Sequence, residues 1–179
     1  MVYLFLADGF EIIEALAPVD MLRRADIEVK TVGVTGDVVT SSCGVRVAAD
    51  VSINDIEYNN VNAIILPGGG LGVENLEKAA ELQQIIDKAV NDNILICAIC
   101  AAPSILGNKG LLKGVEATAF PSFMQYLDGA IVSDEYVIRD GNYITARGAG
   151  VSVEFGLKIV EALTDKNTAD NIKNTIQCR

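Results

Sequence analysis

Histidine is absent from this chain. Its absence excludes a Ser-His-Asp triad or a Cys-His pair built within the chain, and it removes the commonest transition-metal ligand. Any catalytic acid or base is therefore another side chain. Basic charge is scarce too, with 14 Lys and Arg against 24 Asp and Glu, a net charge of −10. The longest basic run is the pair Arg23-Arg24. Nucleic acid and anionic membranes are poor partners for such a surface. The four cysteines, Cys43, Cys97, Cys100 and Cys178, are too few and too irregularly spaced for a disulfide framework. Zinc would need four ligands from this poor set and is set aside. Long apolar runs are missing as well: Val2 to Ala7 has no basic segment ahead of it and is cut off by Asp8-Gly9. It reads as neither signal peptide nor membrane span, and the expected location is cytoplasmic.

What is present is a chain of 179 residues, 50% of them hydrophobic, long enough to bury a substantial core. No repeat or linker divides it, so a single domain over 1–179 is expected. Val2 to Ala7 suits a strand buried on both faces of a parallel sheet. A helix from Glu11 to Ala25 follows, with Ile12, Ala15, Leu16, Val19 and Leu22 at helical spacing, interrupted by Pro18 near the turn that carries Glu14. Ile27 to Val34 reads as a strand, Val45 to Val51 as a strand or hairpin, and Ala63 to Leu66 as a buried strand ending in Pro67-Gly-Gly-Gly70.

One helical pattern then runs through Leu76, Ala79, Leu82, Ile85, Ile86 and Ala89, and Ile94 to Ile99 is apolar throughout. Cys100-Ala-Ala-Pro-Ser104 leads into a short helix closed near Gly107 or Gly110. Beyond it the pattern predicts a strand at Val115 to Ala119, a short helix at Pro121 to Tyr126, and a hairpin of Tyr136 to Arg139 with Tyr143 to Ala146. A helix over Ser152 to Leu163 and a last short helix capped by Thr168 close the chain. The alternation of strand and helix points to an α/β fold, a mostly parallel, doubly wound sheet with helices on both faces. Its site belongs where strand C-termini meet helix N-termini.

Three positions there carry chemistry. Cys100 falls between a buried strand and a helix, a strand-turn-helix junction like a nucleophile elbow, with small Ala101 and Ala102 permitting a tight turn. At a helix N-terminus a cysteine titrates at roughly 3.5 to 7.5 instead of about 8.5. Cys97, three residues earlier in the same strand, lies roughly 10 Å away at about 3.3 Å per residue, so the two form no thioredoxin-type pair, and Cys97 reads as a buried, inert thiol. The turn Gly68-Gly69-Gly70-Leu71-Gly72 offers backbone N–H groups to an anion or oxyanion, or is simply a tight turn; it has neither G-x-G-x-x-G spacing nor the Lys-Ser/Thr of a P-loop. Glu14 is either a surface charge or, facing the cleft, a buried carboxyl with a raised pKa that hydrogen-bonds a thiolate. Asp20 and Arg24 are spaced as an exposed i,i+4 ion pair.

Glu11-Ile-Ile-Glu-Ala-Leu-Ala-Pro-Val-Asp20, Arg23-Arg24, Leu66-Pro-Gly-Gly69, Ala98-Ile-Cys-Ala-Ala-Pro103, Thr145-Ala-Arg-Gly-Ala-Gly150 and Glu154-Phe155 occur in that order over nearly the whole chain. Together they resemble the ThiJ/PfpI superfamily, and within it the DJ-one-like branch. The resemblance implies a flavodoxin-like sandwich, a homodimer, Cys100 as nucleophile, and Glu14 as its protonated partner and general acid/base. It also implies an oxyanion site from the amides of Gly68, Gly69 and Ala101. It implies cofactor-free glyoxalase or deglycase chemistry on a small aldehyde or glycated substrate; the rival readings are an oxidative-stress sensor or redox chaperone acting through Cys100, and hydration of another small electrophile. Two positions depart from the pattern. Phe120 stands where some relatives carry histidine, which removes a Cys-His protease or glutamine amidotransferase reading. Cys43 stands where many members carry arginine, leaving Arg24 as the expected cation of an anion pocket. Cys43 itself is expected either as a small buried residue or, if it comes near Cys100, as a thiol able to resolve an oxidised one.

Overall fold

The computed structural model describes residues 1–178. In chain order its elements are β1 (Val2–Leu6), α1 (Ile12–Arg24), β2 (Val29–Gly33), β3 (Val38–Thr40), β4 (Arg46–Ala48), β5 (Val51–Ser52), β6 (Ala63–Leu66), α2 (Gly70–Lys78) and α3 (Ala80–Asn91). Then follow β7 (Leu95–Ile99), α4 (Pro103–Asn108), β8 (Glu116–Ala117), β9 (Ile131–Val132), β10 (Val137–Asp140), β11 (Tyr143–Ala146), α5 (Ser152–Leu163) and α6 (Lys166–Thr175).

The central sheet has the order β10-β11-β7-β6-β1-β2-β5. All its pairings are parallel except the β10–β11 hairpin, which turns at Gly141-Asn142. Strands buried on both faces explain the near-continuous apolar runs of β1, β6 and β7. Alternate residues serve two cores. Val2, Leu4 and Leu6 of β1, Ala63 and Ile65 of β6, and Cys97 and Ile99 of β7 pack beneath α1, α5 and α6 with Leu22, Phe155 and Ile159. Tyr3, Phe5, Ile64, Leu66, Ile96 and Ala98 face the opposite way, against Leu76, Leu82, Ile86 and Ile105 of α2, α3 and α4. Helices α1 and α5 lie close because Gly156 has no side chain; a Cβ there would stand 2.9 Å from Pro18 Cα. Pro18 is accommodated inside α1, which continues on either side of it.

From β1 the chain builds outward to β2 and β5, then returns to add β6, β7 and β11 on the other side. The strand order therefore reverses between β1 and β6, and the loops leaving their C-terminal ends diverge to open a crevice. Glu14 enters it from α1 and Gly68 from the end of β6.

Several expectations need correction. The helical pattern from Leu76 to Ala89 is two helices, broken where Ala79 turns extended (φ −76, ψ 104), and the Leu76 carbonyl accepts from Ala79 N at 3.3 Å and from Gln83 Nε2 at 3.1 Å. Val45 to Val51 divides into β4, which forms a hairpin with β3, and the edge strand β5. Pro121–Tyr126 is a 3-10 turn, and the strand at Val115 to Ala119 shrinks to β8. Asp165, not Thr168, caps α6: its carboxylate accepts the Thr168 N–H at 3.0 Å and the Thr168 hydroxyl at 3.2 Å.

Candidate active site

Cys100 follows β7 directly and adopts φ 65, left-handed backbone that a non-glycine residue holds only when its surroundings fix it. Here they do. Its N–H donates to Ala146 O at 2.8 Å and its carbonyl accepts from Phe120 N at 2.8 Å, while Ser104 Oγ donates to Ala101 O at 2.7 Å on the far side of the turn. This is the expected elbow: the strain lifts the thiol out of the sheet at its C-terminal edge, half-buried instead of packed.

Glu14 lies in the first turn of α1 and is only 1% exposed. Its Oε2 accepts the Gly68 N–H at 2.9 Å, and Oε1 is buried without any N–H or O–H donor. Burial raises this carboxyl to about 7; hydrogen bonds from Cys100 and Gly68 oppose the rise, and the nearby Glu11 charge adds to it. The surface-charge alternative for Glu14 is thereby ruled out. Gly68 makes the approach possible, since a Cβ there would fall 2.5 Å from Glu14 Oε2 and 2.6 Å from Cys100 Cβ.

The thiol departs from expectation. Burial, the Glu14 charge and the hydrogen bond to Glu14 push Cys100 up to about 12, against the pull of the Ala101 and Gly69 amides. The helix behind it, α4, has 6 residues and starts at Pro103, beyond the elbow. Burial and mutual repulsion raise both groups, so the two titrate as a coupled pair in which ionising one opposes ionising the other. Moving the thiol proton to Glu14 removes the carboxylate charge that holds the thiol up.

The glycine turn divides its work. The Gly68 N–H is occupied by Glu14, so it is not free for an oxyanion. The N–H groups of Gly69 (φ 93) and Ala101 point at the Cys100 sulfur and remain for that role. Above the pair, a Cβ on Gly148 would lie 3.8 Å from Glu14 Oε1 and 3.9 Å from Cys100 Sγ, so both reactive atoms face one point. Beside that point opens a cleft of about 480 Å³ lined by Phe120, Tyr136, Arg147 and the segment from Gly148 to Val151.

Arg24 is not brought to this site. It ends α1, about 15 Å along the helix from Glu14 at roughly 1.5 Å per residue, and is paired with Asp20 at 2.9 Å. Cys43 is exposed on the turn between β3 and β4, with Sγ 3.2 Å from Ser41 Oγ, which removes the buried one of its two alternatives. Cys97 is buried in β7, and burial raises its thiol far above the ordinary range. The sequence reading gave no role to Arg147, Gly148 or Tyr136. A usable signal existed, because Thr145-Ala-Arg-Gly-Ala-Gly150 leaves β11, the neighbour of β7, at the same sheet edge as Cys100. Among the described residues no helix is long and apolar enough to cross a membrane.

Comparison with known proteins agrees with this geometry. The model of the DJ-1/PfpI family matches residues 1–162. The Parkinson disease protein 7 homolog of Danio rerio is 36% identical over 173 residues, 94% of this chain and 92% of that protein. Protein DJ-1 homolog A of Arabidopsis thaliana is 35% identical over 178 residues, 97% of this chain; the chain spans 45% of the length of that relative. The structure of oxidized Toxoplasma gondii DJ-1 superposes with a TM-score of 0.95 at 34% identity, covering 99% of this chain and 97% of the other. With its elbow cysteine, buried glutamate and mostly parallel sheet in this arrangement, the chain belongs to the DJ-1/PfpI family.

Proposed function

We propose that this chain is a cofactor-independent enzyme of the glyoxalase or deglycase type, acting on reactive α-oxoaldehydes or their adducts through Cys100 and Glu14. One observation carries the reading: Cys100 Sγ and Glu14 Oε1 both lie within 4 Å of the point where a Cβ on Gly148 would stand, and Gly148 lines a cleft. An aldehyde carbon placed there meets a nucleophile and a proton acceptor at once.

With methylglyoxal, Glu14 takes the thiol proton as sulfur bonds to the aldehyde carbon, and the carbonyl oxygen becomes an alkoxide held by the Gly69 and Ala101 N–H groups. Glu14 returns its proton to that oxygen, giving the hemithioacetal. The carboxylate then removes the hydrogen of the former aldehyde carbon as a proton, the electron pair moves into an enediolate, and Glu14 delivers the proton to the adjacent carbon while the hydroxyl proton on the sulfur-bearing carbon passes to the neighbouring oxygen. The product is a thioester of lactate on Cys100, which water hydrolyses to lactate and the free thiol. A carboxyl raised to about 7 suits this repeated giving and taking near neutral pH. A homodimer and a cytoplasmic location belong to the same reading through the family resemblance.

A sensor reading rests on a different observation, that the residue Cys100 is only half-buried. Oxidation by peroxide proceeds through thiolate, and a thiol held up by burial and by Glu14 disfavours it. The test is lactate formation from methylglyoxal without glutathione or added metal. Turnover by wild type and its loss in Cys100→Ala support the enzyme; equal rates in the two discard it.

A further inference from the structure

Three alternate amides of the segment from Glu116 to Phe120 donate in turn toward the central sheet. The Glu116 N–H donates to Asp140 Oδ2 at 2.8 Å, the Thr118 N–H to Thr145 Oγ1 at 3.0 Å and the Phe120 N–H to the Cys100 carbonyl at 2.8 Å. Alternate residues of an extended chain present their amides to one side, so the segment forms a strap laid along β11 toward the elbow. Among the described residues β8 pairs only with β9, and on the side facing the sheet two side chains stand in for a strand.

Thr145 is the side-chain link nearer the site. It is 1% exposed, and the Thr118 N–H that it satisfies belongs to a wholly buried residue. The next residue of β11, Ala146, accepts the Cys100 N–H. The end of β11 therefore holds Cys100 on both sides, its N–H directly through Ala146 and its carbonyl through the strap that Thr145 anchors. Both holds matter, since φ 65 at a non-glycine residue persists only when its surroundings over-determine it. The Thr118 hydroxyl takes no part, because its Oγ1 is buried with no hydrogen-bond partner among the described residues.

We infer that Thr145 is a positioning residue of the elbow: its hydroxyl oxygen anchors the strap at Thr118, so that the Phe120 N–H fixes the Cys100 carbonyl and with it the place of the thiol beside Glu14. The inference rests on the reading of Cys100 and Glu14 as the reacting pair, and two of the three measurements below need no turnover.

Thr145→Val keeps the shape of the side chain and removes the acceptor, whereas Thr145→Ser keeps the oxygen. In Thr145→Val the Phe120 amide is expected to exchange with solvent about tenfold or more faster, followed by NMR well below the melting temperature. The pH midpoint for alkylation of Cys100 by iodoacetamide, read at that cysteine by mass spectrometry, is expected to move down, because a thiol released from its place sheds the burial and the Glu14 charge that hold it up. In lactate formation from methylglyoxal kcat is expected to fall about 10- to 100-fold with KM changed far less. Thr145→Ser should return all three toward wild type. Thr118→Val should leave all three unchanged and melt at a higher temperature, since a methyl replaces a buried hydroxyl that has no partner. Should Thr145→Val not fold, Thr145→Ala against Thr145→Ser reads the same contrast.

Wild-type exchange at Phe120, an unmoved alkylation midpoint or, where the wild type turns over, an undiminished kcat in Thr145→Val overturns the inference. So does a Thr118→Val variant that behaves like Thr145→Val, which would assign the effect to packing instead of the bond. If exchange and alkylation move as expected while the wild type forms no lactate, the enzyme reading fails and the positioning role stands.

Discussion

The Gly68 N–H donates to Glu14 Oε2 at 2.9 Å, and the same glycine presents no Cβ to the space between Glu14 and Cys100. One residue thus orients the carboxyl and leaves it room to reach the thiol. Gly68→Ala should lose both, because the added methyl would stand 2.5 Å from Glu14 Oε2 and 3.0 Å from the Ile99 carbonyl oxygen, which cannot move without disturbing β7. The expected result is a loss of about 10²-fold or more in kcat/KM for methylglyoxal, the scale of an ångström-sized misplacement. Steady-state kinetics checks it, alongside a thermal melt showing that the variant is folded.

The pH profile follows from the proton on the pair. Glu14 acts as a base in its carboxylate form and titrates at about 7. Activity in kcat/KM should therefore rise with pH through about 7 and level off above it, well below the thiol at about 12. A profile flat from pH 5 to 9 (roughly two units either side of that midpoint) would show that Glu14 does not carry the proton.

Stability should carry the same signature. A carboxyl raised in the folded state from 4.5 to about 7 contributes most below 4.5, and the contribution is lost as pH rises through about 7. Glutamine mimics the neutral acid at every pH. Wild type should thus lose about 3 kcal/mol relative to Glu14→Gln across that window, as an order of magnitude. Urea unfolding of both proteins at pH 4.5 and pH 8 measures the difference; a gap independent of pH would mean that Glu14 titrates normally.

Much of this site was legible in the sequence for local reasons. An apolar strand running into Cys100-Ala-Ala-Pro103 specifies an elbow, and a glycine run at a strand end specifies a close approach. Glu14 was legible as a candidate only, since its helix could have shown that face to solvent. The charge state of Cys100 was not legible: strand-to-helix position suggests thiolate, whereas burial and Glu14 reverse the sign, and both depend on tertiary packing. Arg24 illustrates the same limit. Its helical spacing to Asp20 was readable and correct, but which end of α1 faces the crevice is decided by the sheet order. Arg147 escaped notice because it lies on an irregular segment after β11, where no periodicity marks which side chains meet. The break at Ala79 has no glycine or proline to announce it.

The central claim is that Cys100 and Glu14 act as one unit, and a double-variant comparison tests it most directly. Lactate formation from methylglyoxal is measured for wild type, Cys100→Ala, Glu14→Gln and the combined variant. Residues that work only together lose about as much singly as jointly. The account predicts that each single variant falls by about 10³-fold or more and that the combined variant falls no further. A combined loss equal to the product of the two single losses, or a Glu14→Gln rate within about tenfold of wild type, would contradict it.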